Sequence, residues 1–142
     1  MGFEPYLHFQ GTCAEAMACY AELFGANDLF IQRYREMPSV PPEFADSDLV
    51  MHSALVAGGM VLMASDFPPG VEGEAQKAVS ISRSAPDLAT AHRLFDALAE
   101  GGAVIMPIQP TFWSTGYGMV RDRFGTHWMI SGPAVEVEVP RL

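Results

Sequence analysis

The 142-residue chain is 49% hydrophobic and 18% charged, a globular rather than a disordered balance. It is long enough for one ordinary domain burying roughly 70% of its unfolded surface. Seventeen Asp and Glu against eight Lys and Arg give a net charge of −9 with no basic stripe, which argues against nucleic-acid and polyanionic partners, and no apolar run approaches the ~18 residues needed to cross a bilayer.

Met1-Gly2-Phe3-Glu4-Pro5 leads into the first strand with neither a basic nor an apolar leader segment, and Tyr6 stands where a myristoylation signal needs Ser or Thr. A soluble, cytoplasmic protein is the expectation. Tyr6-Leu7-His8-Phe9-Gln10 alternates, placing Leu7 and Phe9 on one face of a strand and Tyr6, His8 and Gln10 on the other. Thr12 with Glu15 three residues on predicts a capping box for a helix to about Phe24, stopped by Gly25. Ala16, Met17, Tyr20, Leu23 and Phe24 line one face of that helix. Cys13 and Cys19 lie about 240° apart around its axis, too far to bridge within it, so reduced thiols are expected.

A second strand is predicted near Leu29 to Tyr34. Met37 to Asp48, rich in Pro and acidic residues, reads as a loop, either a lid or a plain surface segment. Leu49 to Ala57 and Met60 to Ser65 flank Gly58-Gly59 as a hairpin. Here the alternation leaves the face of His52 undecided. Asp66 to Gln76, with Pro68, Pro69, Gly70 and Gly73, reads as a linker.

The pattern then restarts. Val79-Ser80-Ile81-Ser82 alternates like the first strand, and Ser84 with Asp87 predicts a second capping box ahead of Leu88, Ala91, Phe95 and Leu98, an offset of 72 from Thr12 to Ser84. Gly101-Gly102 ends this helix, Ala103 to Ile108 reads as a strand, and Thr111 to Ser114 as an aromatic loop or strand edge. Tyr117 to Arg121 and His127 to Ser131 form a closing hairpin around Asp122-Arg123-Phe124-Gly125, where Asp122 starts the turn and Gly125 takes positive φ. Period 2 puts Trp128 and Ile130 in the core and His127, Met129 and Ser131 on the other face.

The fold class read from this is α+β: two β-α-β-β-β modules, 1–66 and 77–142, joined by a linker at 67–76 within one structural domain. Each module covers one sheet face with its own helix and leaves the other to be closed by another half. The expected result is curved mixed sheets around a cleft.

The closing segment Phe112 to Trp128 has the order F-W-x-x-x-Y-G-x-x-x-D-x-F-G-x-x-W. It resembles the last hairpin of PhnB-like proteins of the vicinal-oxygen-chelate superfamily, which includes glyoxalases, bleomycin-resistance proteins and extradiol dioxygenases. Tyr6 to Gly11, Met51 to Leu55 and Leu62 to Asp66 extend the resemblance over the chain. The resemblance implies a homodimer with a sheet-lined cleft that binds a small, largely apolar molecule bearing a polar group. Tyr6, His8, Gln10, His52, Trp113, His127 and Met129 are the expected ligand-binding residues; no catalytic residue is assigned.

Metal-dependent members of that superfamily hold a divalent ion with His or Gln on the first strand of each half and Glu on the last. Here the first-strand His position falls near Glu4 to Tyr6 rather than at His8, the carboxylate position falls on Met129, its counterpart in the first half falls near Met63 to Ser65, and Ala78, Ser80 and Ser82 offer no imidazole. A thioether is a poor ligand for such ions, so no cofactor is expected. The alternative is a metal-dependent lyase, isomerase or dioxygenase with a non-standard site of His8 and His127, joined by His52 or by a carboxylate such as Glu4 or Asp66, the ion acting as a Lewis acid. No glycine-rich strand-to-helix turn supports a nucleotide-using methyltransferase. Cys13, on an Ala-rich helix with no assignable base, reads as core rather than nucleophile. Asp122 reads as a turn former, His92 as exposed, and the nine Met as an adaptable interior.

Overall fold

The computed structural model describes residues 2–136. The chain divides into two compact units, Met1–Gln76 and Lys77–Leu142. In the first, β1 (Tyr6–Phe9) leads to α1 (Cys13–Leu23), β2 (Asp28–Arg33), β3 (Val50–Ala57) and β4 (Met60–Asp66). The sheet order is β1-β4-β3-β2, with β1 parallel to β4 and the other pairs antiparallel. Gly58 and Gly59, at φ 56° and 81°, supply the left-handed pair that a two-residue hairpin needs between Ala57 and Met60.

α1 packs on one face of this sheet, against β2, β3 and β4. Leu7, Phe9, Leu55, Leu62 and Ala64 meet it from the strands, and Cys13, Ala16, Met17 and Tyr20 are fully buried on the helix. Small residues at Cys13 and Ala16 let the helix sit close to the sheet. The predicted stripe is rotated: Leu23 and Phe24 are only half-buried, while Cys13 and Ala21 complete the core face.

The predicted Thr12–Glu15 box does not form at the start of α1. Thr12 is the N-cap by position, but its side chain makes no capping bond. The orphan amides are met from the far end of the module instead. Gly11 N and Cys13 N donate to Asp66 Oδ1 at 2.9 and 3.0 Å, and Val50 N donates to Asp66 Oδ2 at 2.8 Å. One buried carboxylate thus ties the end of β4 to the starts of α1 and β3.

The second unit repeats the topology. β5 (Ile81–Ser84), α2 (Leu88–Ala99), β6 (Ala103–Gln109), β7 (Tyr117–Arg121) and β8 (His127–Ser131) form a sheet of order β5-β8-β7-β6, β5 parallel to β8. α2 buries Ala91, Leu94, Phe95 and Leu98 against β6, β7 and β8. The strand begins two residues later than predicted, and Val79 is 72% exposed. Asp87 itself is the N-cap, accepting from Thr90 N at 2.6 Å, and Ser84 ends the strand. The inward-facing residues Leu7 and Ile81 are therefore 74 apart and the caps Thr12 and Asp87 are 75 apart, against the offset of 72 read from the sequence.

The closing hairpin has the predicted bounds, and Gly125 lies at φ 94°. Trp128 and Ile130 are buried under α2 while His127, Met129 and Ser131 stay half-exposed on the opposite face.

Candidate functional site

The face of the first sheet turned away from α1 collects rings. Tyr6 and His8 stand outward from β1 because Leu7 and Phe9 are held by the helix. Burial of Ser53 and Leu55 settles the side of His52, which shares the outward face with Ala54 and Val56. The Tyr6 hydroxyl lies 2.9 Å from His52 Nδ1, and the two rings stack with centroids 5.7 Å apart and planes 24° from parallel. Phe30 on β2 lies 6.3 Å from the His52 ring, His8 is 5.2 Å from Tyr6, and Phe67 stacks on His8 at 5.5 Å. Five rings in the order Phe30, His52, Tyr6, His8, Phe67 thus run across the four strands to the segment after β4.

Gln10 continues the same strand but serves the segment after β4. Its Nε2 donates to Val71 O and its Oε1 accepts from Gly73 N, both at 2.9 Å. A methyl group on Gly73 would collide with the Phe67 ring, so that ring is held between the clasped loop and His8. The predicted linker is therefore part of the first unit, and it forms one wall of the ring-lined face. Phe30 and Phe67 were not expected there. Alternation within β2 could have indicated Phe30, whereas nothing local marks Phe67, whose role comes from a clasp by a residue at the start of the chain.

Cys13 lies on the helix side, wholly buried, and takes no part in this face. Ser53 Oγ donates to Ala64 O at 2.7 Å and lies 3.5 Å from the Cys13 thiol. Burial pushes that thiol up to about 11, with the Asp66 carboxylate adding to the effect and the Ser53 contact opposing it. A thiol so held is not a nucleophile near neutral pH. Burial likewise raises the Tyr34 phenol, whose hydroxyl donates to Asp66 O at 3.0 Å.

The second unit carries the other expected residues. Met129 pairs with Met119, which pairs with Met106, giving a methionine row across three strands beside Ser82 of β5. His127 pairs with Arg121 at one end of this face, and Tyr117 pairs with Ser131 at the other. Trp113 packs edge-on against Tyr117 at 5.5 Å and Phe112 against Trp113 at 4.8 Å. Thr111 Oγ1, accepting from Trp113 N and Ser114 N, and the buried Ser114 hydroxyl, donating to Gly116 O, shape the loop that presents them.

The strand positions that the sequence resemblance singled out for metal ligands can now be placed. On the outward faces, His8 pairs with Ser65 and Ser82 pairs with Met129. Neither strand-end partner is a carboxylate. Asp66 faces the helix and its two oxygens are occupied by three backbone N–H groups. Among the described residues, no group of three or more His, Cys, Asp and Glu is placed to hold a metal ion. Within each unit, the side chains present do not fit the usual divalent-ion set. Among the described residues, too, no helix is long and apolar enough to cross a membrane.

A profile of the family described as 3-demethylubiquinone-9 3-methyltransferase matches residues 2–131. Protein YjdN of Escherichia coli strain K12 is 30% identical over 141 residues, covering 92% of this chain and 95% of that protein. Among solved structures, protein PA1353 from Pseudomonas aeruginosa superposes with a TM-score of 0.84 at 42% identity, covering 93% of this chain and 97% of that one. A PhnB protein from Bacillus cereus gives a TM-score of 0.75 at 24% identity over 94% of this chain and 100% of that one. The glyoxylase/bleomycin resistance protein/dioxygenase domain from Frankia sp. EAN1pec, at 15% identity, a TM-score of 0.62 and coverage of 93% and 91%, shares the fold.

Proposed function

This chain belongs to the 3-demethylubiquinone-9 3-methyltransferase family of PhnB-like proteins, with the vicinal-oxygen-chelate fold, and on that footing we propose that it binds a small, largely apolar molecule carrying a polar group on its uncovered sheet faces. The observation that carries this reading is the Tyr6–His52 hydrogen bond set within a row of exposed rings, with Tyr6 39% and Phe30 55% accessible. Rings on a strand face are ordinarily buried against something. Here they surround one polar pair, the composition of a small-molecule site: mostly apolar walls with a few fixed polar groups. The methionine row and Trp113 of the second sheet offer a second surface of the same kind, adaptable in shape.

Binding proceeds without the divalent ion of metal-dependent relatives. In support, Ser65 and Met129, the register partners of His8 and Ser82, are not carboxylates, although the resemblance implies a carboxylate at Met129 and near Met63 to Ser65. The protein acts in the cytoplasm as a homodimer, for which light scattering of the purified chain is the check. A thermal-shift screen of small apolar compounds tests the binding reading, since a ligand of the native state raises its melting temperature. Hits should stabilise the wild type and act less on Phe30→Ala. Elemental analysis of untagged protein, with nickel, zinc, manganese and iron(II) added back after chelation, tests the metal-free part. Near-stoichiometric metal with a chelator-sensitive shift would overturn it.

A further inference from the structure

The row of rings contains one hydrogen bond whose direction has chemical consequences. A neutral imidazole carries a single N–H, and the hydrogen bond made by one nitrogen decides which of the two holds it. Tyr6 Oη sits 2.9 Å from His52 Nδ1. A phenol is a stronger donor than acceptor, so the hydroxyl donates to Nδ1 and the proton of the ring resides on Nε2. The two ring nitrogens point in widely divergent directions, so Nε2–H is directed away from Tyr6 and, among the described residues, has no hydrogen-bond partner.

We propose that His52 Nε2–H is the hook for a carbonyl oxygen on a flat ring ligand, with Tyr6 as the positioning residue that fixes the tautomer. The inference rests on the binding function proposed above and names its ligand class. A flat ring suits the surface, because His52 lies between Tyr6 and Phe30 in the row and Ala54 and Met63 beside them add apolar floor. A neutral acceptor suits the charge. The outward positions of these four strands carry no Lys or Arg, and Asp28 is the carboxylate among them, so an anionic ligand meets no counter-charge. A hydroxyl or amine offered only as a donor would meet an N–H and gain nothing.

The test compares 9-fluorenone with fluorene, the same flat ring system with and without the carbonyl, using purified full-length protein. Wild type should bind the ketone about fivefold more tightly, the worth of one good neutral hydrogen bond, and the carbonyl stretch of bound ketone should move to lower frequency. His52→Phe keeps a ring at the site and should bind both compounds alike, with the stretch unshifted. Tyr6→Phe leaves the imidazole free to change tautomer and should reduce the ketone preference without abolishing ring binding. Equal binding of both compounds by wild type, with no shift in the stretch, would overturn the hook while leaving the binding function standing. Failure of both to bind would overturn both readings for ring ligands. Long-range 15N–1H spectra of the wild type assign the protonated nitrogen directly, needing no variant to fold, and a proton on His52 Nδ1 would overturn the assignment.

Discussion

Trp128 donates its indole N–H to Asp122 Oδ2 at 2.9 Å, while Asp122 Oδ1 accepts from Phe124 N and Thr126 N at 2.9 and 3.0 Å. The residue that starts the closing turn is therefore also the polar partner of a core indole. Asp122 is 5% exposed, so the donors it serves have little water to replace it. Replacing Asp122 with Ala should cost about 3 kcal/mol, the penalty for leaving buried donors without partners. Asp122→Asn keeps one acceptor oxygen and should cost about half as much. Urea unfolding followed by Trp fluorescence measures both, and an Ala variant within about 0.5 kcal/mol of wild type would show that the hairpin holds without this contact.

Asp66 and Thr12 make a second contrast, because the residue that looks like the cap of α1 does not bond it and the one that does is distant in sequence. Asp66→Ala removes the acceptor of three backbone N–H groups and should cost about 3 kcal/mol. Thr12→Ala should stay within about 0.5 kcal/mol of wild type, below the usual loss for a working cap. The opposite ranking would restore the local box as the device that starts the helix.

The hairpin and the outward face of β1 were legible in the sequence because period 2 is written in neighbouring residues: Leu7 and Phe9 against Tyr6 and His8, Trp128 and Ile130 against His127 and Met129. What was not legible depends on pairings remote along the chain. Asp66 reads as the first residue of a polar linker until its carboxylate is seen beside Gly11, Cys13 and Val50. Gln10 reads as another outward side chain of β1 until its amide is seen on Val71 and Gly73. The repeat was recognised two residues out of register at the strand and three at the cap, because Ser84 with Asp87 imitates the spacing of a capping box, whereas Asp87 caps the helix on its own.

The Cys13 thiol should make stability fall on the alkaline side. An unfolded chain loses this proton near 9.0, the native chain only near 11. Below pH 9 both states keep it and there is no penalty. From pH 9 to 11 the unfolded state is the one that gains by ionising, so native stability declines by about 2 kcal/mol over that window. Tyr34, raised by burial, adds in the same direction. Urea midpoints at pH 8 and pH 11 should converge less for wild type than for Cys13→Ala when the two are compared as losses: the variant should lose less. A thiol reagent at pH 8 should modify one cysteine per native chain, the half-buried Cys19, and both after unfolding. Rapid native modification of Cys13 would contradict its placement in the core.

Restoring a carboxylate beside His8 should create the metal response that the wild-type faces are expected to lack. Ser65 is the register partner of His8 on the outward side of the first sheet, and it is 7% exposed. A glutamate there would be partly desolvated without a cation, so Ser65→Glu should unfold about 1–3 kcal/mol more easily than wild type in the presence of chelator. Zinc, which accepts imidazole and carboxylate ligands together, offers the missing positive charge between the two side chains. At a hundredfold excess over its dissociation constant the ion would return about 2.7 kcal/mol to the native state. Differential scanning fluorimetry with and without zinc reads both effects, and Ser65→Glu combined with His8→Ala should keep the destabilisation and lose the rescue. A Ser65→Glu protein that zinc leaves unmoved would mean that the two side chains do not converge on one ion.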